Sequence, residues 1–486
     1  MHKPPRISPV LALIGPLLAA ACSPAPERVP ADLVLRNVTL IDGTGAEARA
    51  NVDVFVRDGL IAAVLPNGSV EIPADADVVE GEGSFVMPGL ADMHVHFSLG
   101  LPAPRRPGET DEVLGRLLYY GVTSVLNLGA SEGSTEAIRA LWARQAAGEV
   151  LGPTVYGTGG HLTLPGTHPV WTIFPPPMRR AADSIVAATP EDLPADLYPL
   201  GLGISLVRTP TAARAAVRER AAGGMHAIKI TVESGPSEFG DDHPLMSADL
   251  IRAIVDEAAA HDLRVFAHVS SPNELDSVMA GGAAGIVHTV SERPLPGATL
   301  ASALAERQLW TVATLSLFDA FIRYAEDPGR MDDPFLRETV TEEEIELFAR
   351  TGRLDMGEDA DSMPAWRAET DATMRDVAAL HRAGVPIVLG TDVGNPMVFP
   401  GYSAHEELAN LVKGGLTPME AIQAGTLQAA RMIGKEAEFG SIEVGKRADL
   451  VVLGANPLED IRNSRAIRTV IARGRIVDRA ALLPAR

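Results

Sequence analysis

Cysteine is almost missing from this chain. Cys22 is the only cysteine among 486 residues, so no disulfide can form within the chain and stability must come from a buried core. No core-like pattern surrounds Cys22, which lies in an N-terminal segment outside the predicted fold. A catalytic cysteine inside the fold is therefore excluded.

Positive charge is also scarce. The chain has 42 Lys and Arg against 63 Asp and Glu, with a formal net charge of −21. Such a surface repels phosphates, which argues against a nucleic-acid partner. The length allows two or three domains, or one α/β barrel that takes up most of the chain.

The apolar run "VLALIGPLLAAA" near the N-terminus is too short to span a bilayer well. It follows the basic start "MHKPPR" and ends in small residues, which predicts an export signal over residues 1–21. Cys22 directly after it resembles the lipidated cysteine of bacterial lipoproteins, and residues 22–31 form a Pro-rich tether. We expect an outer-membrane lipoprotein facing the periplasm, or a secreted or periplasmic protein. Its membrane contact would be a lipid anchor at Cys22 alone.

Short strands with period-two patterning stand at both ends of the remaining chain. "DLVLRNVTLIDGTG" and "NVDVFVRDGLIAAVLP" lie within residues 32–85, and "GKRADLVVLGANP" and "IRTVIARGRIVD" lie within residues 437–486. Gly, Asn and Asp mark the turns between them. The pattern predicts a small β-sandwich domain formed by both chain ends.

The central residues 86–436 alternate apolar strands with Ala- and Leu-rich helices. Eight strand candidates run from "FVMPGLADMHVHF" to "VPIVLGTDVG", and the seventh of them is "LWTVATLSL". Alternation of this kind predicts a parallel sheet, and eight strands predict an α/β fold with a (β/α)8 barrel of the TIM type. Catalytic groups in such barrels lie at the C-terminal ends of the strands.

Polar side chains occur at just those positions. Residues i and i+2 on a strand share a face, so the two histidines of "DMHVH" should point the same way. Convergence on one barrel mouth is expected for His94, His96, Lys229, His268, His288 and Asp392. Imidazoles and carboxylates suit zinc and its neighbours.

Lys229 stands between Ile228 and Ile230 on a strand that must be buried. A buried ammonium is seldom tolerated without a partner. Two interpretations stay open: an ion pair with a rim carboxylate such as Glu233, or reaction of the amine with carbon dioxide to give an anionic carbamate that bridges two cations.

At these residues the chain resembles the amidohydrolase superfamily, and Lys229 points to its binuclear branch. The segment "TPMEAIQAGTLQAARMIG" and the two-ended β domain add to the likeness, which is nearest to the imidazolonepropionase-like and Xaa-Pro dipeptidase-like group. The resemblance implies two divalent metal ions, preferably zinc. It places one on His94, His96 and Asp392, the other on His268 and His288, and carbamylated Lys229 between them. It also implies Asp392 as the catalytic proton carrier and a metal-bridged hydroxide as the nucleophile.

Three further residues are candidates for substrate binding. His161 and His168 follow the third strand in "GTGGHLTLPGTHP", a predicted loop on the catalytic face, where functional residues concentrate. His161 resembles a substrate-contacting position of the family, and Tyr156 is a weaker candidate. His226 begins the fourth strand and belongs at the opposite end of the barrel.

The substrate class is the least determined feature. The resemblance favours hydrolysis of amide C–N bonds in peptides or N-acyl amino acids, with a small molecule as the partner. A lactonase, a cyclic amidase or an organophosphate esterase would use the same residues. A non-catalytic binding lipoprotein would not need six ligand types on the right strands. Assembly into homo-oligomers stays open.

Overall fold

The structure is a computed structural model that describes residues 29–100, 106–129, 134–171, 174–233, 243–290, 297–351 and 363–483. The predicted signal, Cys22 and most of the tether lie outside these residues, so those expectations stay predictions. Within the described ranges, every helix is too short or too polar to cross a membrane.

The strands are numbered in chain order: β1 (Leu33–Leu40), β2 (Arg49–Arg57), β3 (Leu60–Pro66), β4 (Asp77–Glu80), β5 (Phe85–Pro88), β6 (Leu90–Val95), β7 (Val122–Asn127), β8 (Thr154–Gly157), β9 (His161–Thr163), β10 (Ala195–Asp196), β11 (Ile204–Leu206), β12 (Ala227–Thr231), β13 (Arg264–His268), β14 (Gly285–Val287), β15 (Trp310–Val312), β16 (Ile387–Val388), β17 (Leu450–Leu453), β18 (Ile467–Ala472) and β19 (Arg475–Ile476).

The α-helices are numbered in the same way: α1 (Glu109–Tyr119), α2 (Thr135–Ala146), α3 (Pro176–Ala188), α4 (Pro210–Ala222), α5 (Ala248–Ala259), α6 (Pro272–Gly281), α7 (Gly297–Glu306), α8 (Leu315–Glu326), α9 (Glu342–Thr351), α10 (Met363–Arg382), α11 (Tyr402–Gly414), α12 (Pro418–Ala424) and α13 (Leu427–Met432).

Both ends of the chain build one small β domain, as predicted. Its strands are joined by hydrogen bonds in the order β19-β18-β17-β5-β1-β2-β3, with β4 paired to β1. The edge strand β3 also meets the segment that precedes β17, because the backbone N–H of Ile61 donates to the carbonyl of Lys446 at 2.8 Å. One buried cluster therefore contains side chains from both termini, among them Leu35, Val54 and Leu450.

The central strands close into a barrel with eight strand positions, each of which is called a stave below. Strands β6, β7 and β8 form one run, and β9, β12, β13, β14, β15 and β16 form another, all parallel within each run. Strands β8 and β9 together make the third stave, because the N–H of His226, which precedes β12, donates to the Gly157 carbonyl. Bonds from Met93 to Leu389 and from His96 to Val393 join the first stave to the last. The predicted (β/α)8 barrel is confirmed.

The boundary between the two domains lies three residues later than predicted. The segment "FVMPGLADMHVHF" is two strands, not one: β5 pairs with β1 and β17 in the small domain, and β6 begins the barrel. Gly89 is the single residue between them, and a Cβ there would lie 2.2 Å from Oγ1 of Thr123. Only glycine lets the chain pass so close to its neighbour.

Two local predictions were wrong. His161 does not stand in a loop but begins β9, which pairs with both β11 and β12. The segment "LWTVATLSL" leaves the strand conformation after Val312, and α8 begins at Leu315. Short apolar segments fit a strand or a buried helix start equally well, so periodicity alone cannot separate them.

Candidate active site

His94 and His96 converge on one carboxylate, as the strand period requires. Nε2 of His94 lies 3.2 Å from Oδ1 of Asp392, and Nε2 of His96 lies 3.1 Å from the same oxygen. Gly394 makes room for this arrangement, because its φ is +117° and a Cβ there would lie 2.6 Å from Cβ of His96. The first and last staves thus meet around three polar side chains.

The backbone is strained where two of these groups enter the site. Asp392 has φ of 63° and His288 has φ of 68°, both in the left-handed region. That conformation is uncommon for residues other than glycine and costs on the order of 1–3 kcal/mol. It turns Nε2 of His288 to within 3.8 Å of Oδ2 of Asp392. Such strain persists where the surrounding structure holds a functional geometry.

An outer hydrogen bond fixes the ring of His96. Its Nδ1 lies 2.7 Å from the carbonyl oxygen of Gly129. A carbonyl oxygen only accepts, so Nδ1 carries a ring proton and donates it, and Nε2 is the nitrogen that faces Asp392. His288 has a similar outer contact, from Nδ1 to Oγ1 of Thr314 at 2.8 Å.

The Nε2 atoms of His94 and His96 face the same carboxylate oxygen of Asp392. Burial acts to raise the pKa of Asp392, but the imidazoles of His94 and His96 and the Lys229 amine together hold that pKa well below its ordinary value. Oδ1 of Asp392 has no hydrogen bond among the described residues. Two imidazole nitrogens and a carboxylate oxygen that converge in a buried pocket are a ligand set that suits a divalent cation. The residues present therefore fit a divalent metal ion.

Lys229 lies in the same interior, on β12 beside His161 and Phe266. It is only 2% exposed, and its Nζ has no hydrogen-bond partner among the described residues. Burial lowers the pKa of this amine to about 7, although Asp392 opposes the shift. The alternative ion pair between Lys229 and Glu233 is not formed.

Glu233 instead contacts two histidines. Its Oε2 lies 3.1 Å from Nε2 of His268 and 3.1 Å from Nδ1 of His168. The rings of His168 and His268 are stacked, with centroids 5.0 Å apart and planes at 17°. The site thus has two potential ligand groups, His94–His288–Asp392 and His168–Glu233–His268. Rings of His268 and His288 connect them, with centroids 4.6 Å apart.

The three predicted substrate-binding residues have different positions. His161 is buried, with Nδ1 3.1 Å from Oγ1 of Thr231 and with Nε2 lacking a partner among the described residues. His168 lies beside His268. Tyr156, by contrast, stacks on Phe439 at the opposite end of the barrel, beside His226. The structure does not bring Tyr156 to the site, because its position on β8 precedes the strand ends.

Two residues that the sequence interpretation did not assign hold the mouth together. Asp92 is fully buried and accepts from the hydroxyl of Thr391 at 2.6 Å and from the Thr391 N–H at 3.0 Å. Burial raises the pKa of this carboxyl to about 7, against the hydrogen bonds from Thr391 and His94. Asp92 thus ties the strand of His94 to the residue before Asp392. Its place within "DMHVH", two residues before His94, was the available signal.

The chain is similar in sequence to an ochratoxinase from Aspergillus niger. The two are 27% identical over 446 residues, which is 87% of this chain and 81% of the ochratoxinase. A putative prolidase from Bifidobacterium longum has a similar structure, with a TM-score of 0.68 and 27% identity over 94% of this chain and 97% of its own. A Xaa-Pro dipeptidase with bound methionine shares the fold, with a TM-score of 0.70 and 23% identity over 92% and 99%.

A family model extends this likeness across both domains. The model of the amidohydrolase family matches residues 85–477, which span the whole barrel and the C-terminal part of the small domain. All six predicted ligands fall inside the match. The chain belongs to the amidohydrolase family.

Proposed function

We propose that this protein is a binuclear metal-dependent hydrolase that cleaves amide C–N bonds of peptides or N-acyl amino acids. One observation carries the proposal: the Nε2 atoms of His94 and His96 converge on Oδ1 of Asp392, at 3.2 and 3.1 Å, and that buried oxygen has no hydrogen bond among the described residues. A divalent cation bound between these three atoms would satisfy all of them. A structural histidine of the same chain, His405, instead places both ring nitrogens in hydrogen bonds.

The ligands divide into two sets. His94, His96 and Asp392 would hold the more buried cation, and His268 and His288 would hold the second. Two bound cations lower the pKa of water and polarise the scissile carbonyl. Zinc suits this mixture of imidazole and carboxylate ligands.

Lys229 would complete both sets as a carbamate. Its amine is buried without a partner, and a neutral amine reacts with carbon dioxide by forming an N–C bond and releasing one proton. The product carries a negative charge where the free lysine would carry a positive one. An anion at this point satisfies two neighbouring cations, whereas an ammonium would repel them.

Asp392 would carry the proton during the reaction. Its carboxylate accepts a proton from the attacking water and then passes it to the nitrogen of the leaving amine. Oδ1 has no hydrogen bond among the described residues. No protein nucleophile is required.

His161 would contact the substrate. Burial keeps the pKa of its imidazole well below the ordinary value, so the ring is neutral. The Thr231 hydroxyl can donate to Nδ1, which leaves the ring proton on Nε2 as a buried donor. We assign this donor to the carbonyl oxygen of the scissile amide, where negative charge develops.

The substrate class has support from the relatives. Two similar solved structures have peptidase names, a Xaa-Pro dipeptidase and a putative prolidase. The sequence relative described above is an ochratoxinase. These names favour amide substrates over lactones or phosphate esters.

The test measures metal and turnover together. The purified full chain is analysed for metal per chain and assayed on dipeptides, N-acyl amino acids and lactones, before and after chelation. We expect two ions per chain, amide turnover, loss of turnover on chelation and recovery with zinc. Turnover of lactones alone would replace the amidase assignment, and a chain that binds no metal after supplementation would refute the proposal.

A further inference from the structure

Glu233 is a buried carboxylate at the barrel mouth that the proposed ligand sets leave unused. It is only 3% exposed, and it follows Lys229 and Thr231 at the next inward-facing position beyond β12. Among the described residues, the groups within ion-pair distance of it are His168 and His268, each 3.1 Å from the same oxygen. No Arg or Lys of the described chain neutralises it.

Two roles fit these contacts, and hydrogen-bond geometry distinguishes them. Glu233, His168 and His268 lie close enough together to hold an ion of their own. However, Nε2 of His268 meets Oε2 of Glu233 in hydrogen-bonding geometry at 3.1 Å. The contact of equal length between His96 and Asp392 lacks that geometry, since Oδ1 of Asp392 has no hydrogen bond among the described residues.

A hydrogen-bonding role agrees better with the contacts. A carboxylate oxygen accepts readily from two N–H groups, because its lone-pair sites tolerate a range of directions. Metal-binding histidines commonly donate their outer N–H to a carboxylate or carbonyl, which fixes the tautomer and strengthens the ligand. His96 and His288 already show outer contacts of this kind, to Gly129 and Thr314.

We infer that Glu233 is a positioning residue: it accepts the Nε2–H of His268 and so leaves Nδ1 of His268 free to bind the second cation, while His168 holds Glu233 in place. This inference rests on the proposed function, since it concerns a ligand of the second cation. It changes the role expected for His168, whose Nδ1 supports the carboxylate and not the substrate.

The arrangement makes the two imidazoles of the second cation unequal. His268 is backed by an anionic acceptor and His288 by a neutral hydroxyl. A charged acceptor forms the stronger hydrogen bond and makes its histidine the more basic ligand. Loss of Glu233 should therefore weaken the second cation and spare the first.

The first measurement is the tautomer of His268. Nitrogen-15 spectra of histidine-labelled, metal-free protein should show the His268 proton on Nε2 in the wild type. In Glu233→Leu the proton should distribute between both nitrogens. A purely structural role for Glu233 would not change that signal. A wild-type proton on Nδ1 would overturn the inference.

The second measurement is metal affinity. Loss of such an outer partner typically weakens metal binding about 10–100-fold. In Glu233→Leu, one of the two zinc ions should therefore dissociate at a free zinc concentration about 10–100 times higher than in the wild type. Glu233→Gln, which keeps an acceptor oxygen, should lie between it and the wild type. Glu344→Gln is the matched control, because Glu344 is buried and pairs with Arg116 away from the site.

The outcomes separate this inference from the proposed function. Two ions with unchanged affinity in Glu233→Leu would refute the role of Glu233 and leave the hydrolase proposal intact. Zinc within bonding distance of Glu233 in a metal-loaded crystal would make it a ligand and also overturn the inference. A wild-type chain without metal would refute the proposed function itself.

Discussion

The two ends of the barrel treat buried polar groups in opposite ways. At the base, Arg447 pairs with Asp449, donates to Ser124 and Tyr156, and lies over the Phe439 ring. At the mouth, Nζ of Lys229, Nε2 of His161 and Oδ1 of Asp392 are buried without hydrogen bonds among the described residues. Both ends bury charge, but the mouth leaves these three polar atoms without the hydrogen bonds that Arg447 makes at the base.

The difference separates stability from function. An unsatisfied buried polar group costs about 1–3 kcal/mol, and more when it is charged. The base avoids this cost, as expected of the barrel end that stabilises the fold. At the mouth, the three buried atoms without hydrogen bonds carry this cost. The left-handed φ of His288 and Asp392 adds backbone strain there. Groups arranged in this way are complete only when a cation or substrate is bound.

The largest contrast should come from exchanging lysine for alanine at the mouth. Lys229→Ala removes the proposed bridge, so we expect one or both ions to be lost and turnover to fall close to background. Metal analysis and steady-state kinetics measure both effects. Arg447→Met is the base control and should lose stability while it keeps two ions. Full turnover in Lys229→Ala would contradict the binuclear interpretation.

A smaller effect is expected from Asp392→Asn. The amide keeps the shape of the side chain but cannot accept and return the proton, and general acid–base groups contribute about 10²–10⁴-fold. We expect kcat to fall by that factor, with thermal unfolding almost unchanged. Because Asp392 is also a proposed ligand, metal content is measured beside kcat. An unchanged kcat would remove Asp392 from proton transfer.

The smallest effect is expected from Tyr156→Phe. Among the described residues, its hydroxyl accepts a hydrogen bond from Arg447 alone, at 3.4 Å, at the base. We expect unchanged kcat and KM, and a stability loss of about 0.5–1.5 kcal/mol, as for one hydrogen bond. His161→Phe at the mouth is the comparison and should lower kcat/KM. A raised KM in Tyr156→Phe would place Tyr156 at the substrate after all.

The sequence predicted the parts of this molecule that periodicity controls. His94 and His96 share a face because they are two residues apart on a strand, and Lys229 was recognisable as a charge between two isoleucines. Glu233 was named only as a rim carboxylate that could pair with Lys229, although the same period extends from Lys229 through Thr231 to it. Its actual partners were not predictable, because His168 reaches it from another stave.

Misassignments occurred where the chain departs from a regular repeat. Gly89 interrupts an apolar run without any change in composition, so two strands of different domains read as one. Tyr156 is an aromatic residue on a barrel strand, and only its position along the barrel axis decides whether it lies at the base or at the mouth. That position depends on the stagger between neighbouring strands, which the pattern of residues within one strand does not encode.

The position of β17 next to β5 determines when the small domain can be completed. These partners are separated by ~360 residues of chain. Synthesis at about 5–20 residues per second takes roughly 20–70 s over that distance. Throughout this interval β5 has no β17 beside it and presents an unpaired edge that other strands could join. The sheet of the small domain can therefore be completed only after β17 has been synthesised, although β1 to β5 are made first.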